Sequence, residues 1–330
     1  MCGLGWSVAG AQAPVWAPMT VPYSPCVQQH CQYERPYEVA LGIRKCINSF
    51  TSYQFPNPFP PNQDPLSRLE FPIDQWFGGL RGEYSRGCVS VFAEGWINLN
   101  SEANLKMQDS DWDDESNPFQ KTIFSESQCA LNRGYLVDMG LSFGKSSGTM
   151  SLRPVGGYRY QYFDFTTHDG NQMDMSGNVS PLPGDGIRFR QTFNHAYLGG
   201  IWKASLGQSR GSACATKIPS CGFACGSKIE FSVQADIAWA QGWNEDKHLL
   251  RAGDRRTVER TKGYCWHIGL STSMHLSDAF LVRLEGDFKR LTTTGSHNLT
   301  NDAFGIDFSF DGAKVWSDQG SIAAMAQMRF

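Results

Sequence analysis

The chain has 330 residues, room for one large domain or two small ones, yet charged residues are only 18% while aromatics reach 13%. A net charge of −3 with no basic run excludes a nucleic-acid partner held by charge. No apolar run approaches the ~18 residues of a transmembrane helix, so a chain of this composition can enter lipid only as a closed barrel, because lipid offers no partner to an exposed backbone N–H or C=O.

In chain order, Leu4 to Ala13 is weakly apolar, and Ala11-Gln12-Ala13 has the small-residue pattern of a signal-peptidase site without a basic segment before it. The expected organisation is a truncated signal peptide over 1–13, a periplasmic arm over 14–36 and a barrel over 37–330. Alternation then predicts strands at 37–49, 66–82, 87–99, 129–144, 148–165, 187–207, 227–243, 258–275, 278–293 and 318–330. In the seventh, Ile229, Phe231, Val233, Ala235, Ile237 and Trp239 share one face, with Glu230, Ser232, Gln234 and Asp236 on the other. In the ninth, Phe280, Val282, Leu284 and Phe288 oppose Arg283, Glu285, Asp287 and Lys289. Strands this long, with charges gathered on the polar face, fit lipid outside and a polar lumen inside. The last strand alternates down to Phe330, which resembles the assembly signal of bacterial outer-membrane barrels. The fold class is therefore all-β, a ten-stranded antiparallel transmembrane β-barrel.

Connections at 83–86, 145–147, 208–226 and 276–277 lie on one side, against 50–65, 100–128, 166–186, 244–257 and 294–317 on the other. Outer-membrane barrels have short periplasmic turns and long external loops, so the second group is external. Asp109 and Asp111 fall in the loop after the third strand; Asp246 and His248 fall in the loop after the seventh. In a ring of ten those hairpins face each other across the mouth. If 246–248 is extended, Asp246 and His248 point the same way, and Asp246 orients the imidazole as a general base. Asp109 and Asp111 then hold a water opposite it, and repulsion between them raises the pKa of one carboxyl. These residues predict hydrolysis of an amide by an activated water, with no metal.

The order of several short motifs resembles the omptins, outer-membrane proteases that cut peptides after basic residues. Ser67-Arg68-Leu69-Glu70, Gly95-Trp96, Asp109-Ser110-Asp111-Trp112, Asn117-Pro118, Gly156-Gly157-Tyr158, Gln191-Thr192-Phe193, Ala196-Tyr197-Leu198-Gly199 and Asn244-Glu245-Asp246-Lys247-His248 follow the family's sequence of blocks over about residues 37–330. The resemblance implies an outer-membrane endopeptidase of aspartic type in a Gram-negative bacterium, with Asp109, Asp111, Asp246 and His248 catalytic. It places the neutral Asn244 and Ser125 at substrate-binding positions where the family is acidic, with Glu245 and Glu126 as nearby carboxylates that could compensate, which puts the preference for Arg or Lys in doubt. It further implies no cofactor beyond lipopolysaccharide, bound on the outer wall by Tyr158 and Lys262, with Tyr160 and Tyr162 standing where the family has charged partners. Peptides, lipopolysaccharide and the outer membrane are the expected partners. The competing reading is a porin or structural cysteine-rich barrel; a lipid-A hydrolase would want a serine nucleophile near the outer wall, and none stands out.

Of the ten cysteines, Cys26, Cys31, Cys214, Cys221 and Cys225 fall on the periplasmic side, where disulfides persist. Five is odd, which leaves a thiol free or paired to another envelope protein, as in chlamydia-like bacteria; local staples, and a Cys-His-Cys metal site using His30, are the other readings. Cys46, Cys88, Cys129 and Cys265 fall in strands and are expected to pack.

Overall fold

The structure, a computed structural model, describes residues 36–60, 62–144, 149–206, 228–277 and 279–330. The expected signal segment, nearly all of the arm, His30 and Cys26, Cys31, Cys214, Cys221 and Cys225 lie outside the described residues.

Among the described residues twelve strands form one antiparallel sheet: β1 (Tyr37–Phe55), β2 (Ser67–Pro72), β3 (Trp76–Arg86), β4 (Val89–Asn98), β5 (Met107–Asp111), β6 (Ile123–Phe143), β7 (Met150–Asp174), β8 (Val179–Leu206), β9 (Ile229–His248), β10 (Arg256–His275), β11 (Phe280–Asn301) and β12 (Ile306–Arg329). β12 pairs with β1, Glu38 against Arg329 through Lys45 against Ile322, which closes the ring. β2 and β3 lie end to end along β1, and β5 and β4 lie end to end along β6, so twelve strands occupy ten ring positions. The predicted second strand is thus broken at 73–75, and the third is continued above its predicted end by β5. Asn48, with φ of 47°, opens a bulge in β1, where the Ser49 hydroxyl donates to the Gly320 carbonyl at 2.8 Å and holds the closing seam together.

The outer wall follows the alternation. Leu198 is 76% exposed and Ile237 68%, values that in water would be costly and that here mark a lipid-facing band with Leu41, Leu80, Leu152, Leu270, Leu284 and Ile322. The four free cysteines described split by place: Cys46, Cys129 and Cys265 are buried, and Cys88 is exposed in the β3–β4 turn. The strands run much further outward than the sequence pattern predicts. β8 has 28 residues and β7 has 25, where about 9–11 cross the lipid. The upper halves of the strands stand above the membrane, with water outside, so the apolar side of the alternation stops while the hydrogen-bond ladder continues. Between Thr166 and Gly170, register shifts against β8 mark that change.

Within the lipid band the lumen is filled. Arg159 forks onto Asp236 at 2.6 and 2.7 Å and reaches Asp138 at 2.6 Å; His267 bridges Asp236 at 2.8 Å and Asp287 at 2.9 Å. Arg81 and Arg44 share Glu94, at 3.2 and 3.4 Å, and Arg283 pairs with Glu285. The gap left among these side chains is a cavity of about 60 Å³. His267, Arg283, Glu285 and Asp287 are plug rather than channel lining. Two consequences are measurable. The folded protein carries no steady current across a planar bilayer. Arg159→Ala, which strands the buried Asp236 and the half-buried Asp138, costs about 3–5 kcal/mol and lowers the temperature at which the barrel loses its compact mobility on unheated electrophoresis.

Candidate active site

The four residues singled out in the sequence do not sit in loops. Asp109 and Asp111 are on β5, and Asp246 and His248 end β9, so all four stand on ladder-bonded walls above the lipid. That corrects the predicted loops 100–128 and 244–257, whose outward strands carry no apolar face to announce them. Position along a strand decides direction: Asn244, Asp246 and His248 share the lumen face of β9, while Glu245 and Lys247 point to the outer wall.

His248 Nε2 lies 3.2 Å from Asp246 Oδ2. The same carboxylate oxygen accepts the hydroxyl of Tyr53, which crosses the lumen from β1 to reach it. Asp246 is fully buried. Burial pushes its carboxyl up, but the charge and hydrogen bond of His248, the Tyr53 hydroxyl and Arg255 outweigh that and hold it below the usual carboxylate range. Tyr53 is held in turn, stacked on Phe189 with ring centres 5.3 Å apart, and Phe189 stacks on Phe71 at 4.2 Å. Phe71, Phe165 and Phe189 are wholly buried and make an apolar floor beneath the dyad. Burial and the facing Asp246 and Glu259 push the Tyr53 phenol far up, so it stays a donor.

Across the mouth, Asp109 opposes Leu69 on one side and Ser125 on the other. The Asp111 carbonyl accepts from both the backbone N–H and the hydroxyl of Thr122, at 2.8 and 3.0 Å, which pins the end of β5. Burial, then the charge of Asp111, pushes the Asp109 carboxyl up to about 7; the charge of His248 pulls it down and that of Asp246 pushes it up. The two halves of the constellation therefore lie within electrostatic reach of one another. Asp109 Oδ1 is buried with no hydrogen-bond partner, and is free to meet a reacting group. No cluster of metal-ligating side chains occurs among the described residues.

Of the other residues named from the sequence, Asn244 faces the lumen, fully buried, two residues below Asp246, with both amide atoms unpartnered. Ser125 is buried beside Asp109. Glu245 is not in the lumen; it forms an ion pair on the outer wall with Arg256, whose Nε is 3.0 Å away. Tyr158 and Lys262 are exposed on the outer wall, on β7 and β10, and the Tyr158 hydroxyl donates to Asn194. Sequence reading missed Tyr53, because a tyrosine between Thr51 and Phe55 on a strand looks like any core aromatic. It also missed the wholly buried Glu259, which is 2.9 Å from His297 Nδ1 and level with Asn244 in the β9–β10 register. Tyr53→Phe should raise the Asp246 titration midpoint, read from its infrared carboxylate band, and cost about 1–3 kcal/mol for the hydrogen bond lost.

No curated protein matches the chain in sequence. Among solved structures, the outer membrane protease OmpT from Escherichia coli superimposes with a TM-score of 0.74 over 89% of this chain and 96% of that one, at 17% identity. The translocator domain of the autotransporter NalP from Neisseria meningitidis (TM-score 0.33, 9% identity, 89% of each chain) and the toluene transporter TodX from Pseudomonas putida (0.28, 8%, 89% and 90%) are other, more distant barrels. The model of the Omptin family matches residues 81–206. Residues 81–206 are thus similar to the omptin family, on a ten-position barrel with the fold of that outer membrane protease.

Proposed function

We propose that the chain is an outer-membrane endopeptidase that hydrolyses peptide bonds with a water held between Asp109, Asp111 and the Asp246–His248 dyad. The observation that carries this reading is the division of charge over the four groups. Asp246 is kept ionised beside His248, whereas Asp109 is kept protonated up to about pH 7 by burial and by Asp111. Such separation of acid and base roles is what proton-transfer catalysis needs near neutral pH.

In this mechanism His248 takes a proton from the water as its oxygen attacks the peptide carbonyl carbon. Asp246 stabilises the imidazolium and fixes the ring's orientation. The Asp109 carboxyl donates to the developing oxyanion through its unpartnered side, and Asp111 accepts the water's second proton in a hydrogen bond. Collapse of the tetrahedral intermediate breaks the C–N bond as His248 returns its proton to the leaving nitrogen. A carboxyl and an amine result, and no metal is called for. Lipopolysaccharide is the partner proposed for the outer wall, where Tyr158 and Lys262 are exposed, and its grip would steady the walls that carry the site.

The test is cleavage of a diverse peptide pool by refolded protein in lipopolysaccharide. His248→Ala should lower the rate about 10²–10⁴-fold, the usual worth of a general base. The raised Asp109 carboxyl acts in its protonated form, so wild-type turnover should fall as pH rises through about 7, and Asp109→Asn should lose that limb together with most of the rate. Retained cleavage in His248→Ala, or no cleavage by folded wild type, would end the reading.

A further inference from the structure

Beside the dyad, Asn244, directly below Asp246 on the same face, is neutral, and the buried Glu259 carboxylate lies 2.9 Å from His297 Nδ1 with no hydrogen bond between them, the His297 ring stacking on Phe55 at 4.2 Å. Cationic groups sit on the other flank. The 249–255 connection leaves β9 at His248, and the His248 N–H donates to the Arg255 carbonyl at 3.1 Å. A cleft of about 570 Å³ opens there, lined by Arg251, Arg255, Leu299, Asn301, Phe304 and Ile306.

The arginines of this cleft differ from their neighbours. Lys247 has Asp254 at 3.4 Å and Arg256 has Glu245 at 3.0 Å. Among the described residues neither Arg251 nor Arg255 makes an ion pair, and Arg255 Nε is buried with no hydrogen-bond partner. Asn301 Oδ1 is likewise buried and unpartnered. Yet both arginines reach the reacting groups with their fields: Arg251 acts on Asp109, and Arg255 on Asp246 and Asp111. The cleft is joined to the site through the His248–Arg255 backbone bond, and its lining combines the apolar Leu299, Phe304 and Ile306 with the two arginines.

We infer that this cleft is a specificity subsite for an acidic side chain flanking the bond to be cut, its methylenes on the apolar wall and its carboxylate between Arg251 and Arg255. A charged hydrogen-bonding pair shielded by an apolar wall is the setting in which a guanidinium–carboxylate contact is strongest. The inference rests on the proposed peptidase reading, and binding and turnover separate the two.

Full-length protein refolded in lipopolysaccharide would be given a peptide pool, and the cut sites read by mass spectrometry. Glu or Asp should be enriched beside the cut, and Arg251→Ala and Arg255→Ala should lower the Glu-over-Gln ratio of kcat/KM about tenfold, the low end for a hydrogen bond to a charge. Arg251→Glu should favour a Lys peptide instead. In parallel, fluorescence anisotropy on Asp109→Asn would compare a Glu peptide with its Gln counterpart under a neutral label. Cleavage without acidic enrichment, or a ratio unmoved by the arginine variants, overturns the subsite and leaves the peptidase standing. Arginine-dependent preference for the Glu peptide without any wild-type turnover supports the acidic cleft and sinks the peptidase. Equal binding of both peptides together with no turnover overturns both. Unheated electrophoresis verifies that each variant is a folded barrel.

Discussion

Every feature of this molecule depends on lipid being unable to hydrogen-bond a peptide group. Because of that constraint β12 must find β1, and the ring must close with each backbone N–H and C=O paired to a neighbour. Closure also creates a narrow interior that polar side chains have to fill. Arg159, Asp236, His267 and Asp287 do so as a hydrogen-bonded network. A buried ion pair is weak evidence of stability on its own, but one partner without the other is costly, which makes the network all-or-none. The same filling separates this barrel from a pore.

The ladder does not end where the membrane does. Strands of twenty residues and more carry a rigid scaffold into water, and the candidate catalytic side chains are mounted on that scaffold. A water-activating site requires groups placed to within a fraction of an ångström, and strand walls braced by the Phe71–Phe189 stack provide that better than mobile loops could. Tyr53 illustrates the economy: one side chain from β1 closes the lumen, packs the floor and holds Asp246 against His248. Burial pushes both aspartates up, but their surroundings differ: the charge of Asp111 raises Asp109 further, whereas cationic and donor groups outweigh burial at Asp246 and leave it low.

Much of the fold was legible in the sequence because the two-residue period is imposed by the pleat and the sign of each face by lipid or lumen. Ile237 out and Asp236 in follow from that alone. Legibility stopped at the upper edge of the lipid. There the outer face meets water, both faces become polar, and β5 and the last turns of β9 read as loops although their ladders are intact. Glu245 was misplaced for a related reason: without knowing that 244–248 is a strand, its direction relative to Asn244 and Asp246 is undetermined.

By itself the sequence determined a ten-position barrel, the side of the membrane on which Asp109, Asp111, Asp246 and His248 meet, and the in–out order of residues within the lipid band, since these depend on periodicity and counting. Only the tertiary structure decided which side chains meet across the lumen, Tyr53 of β1 with Asp246 of β9 and Thr51 of β1 with Gln191 of β8. Those contacts join strands far apart in the chain, and their geometry depends on barrel radius, stagger and strand tilt, which no local pattern encodes.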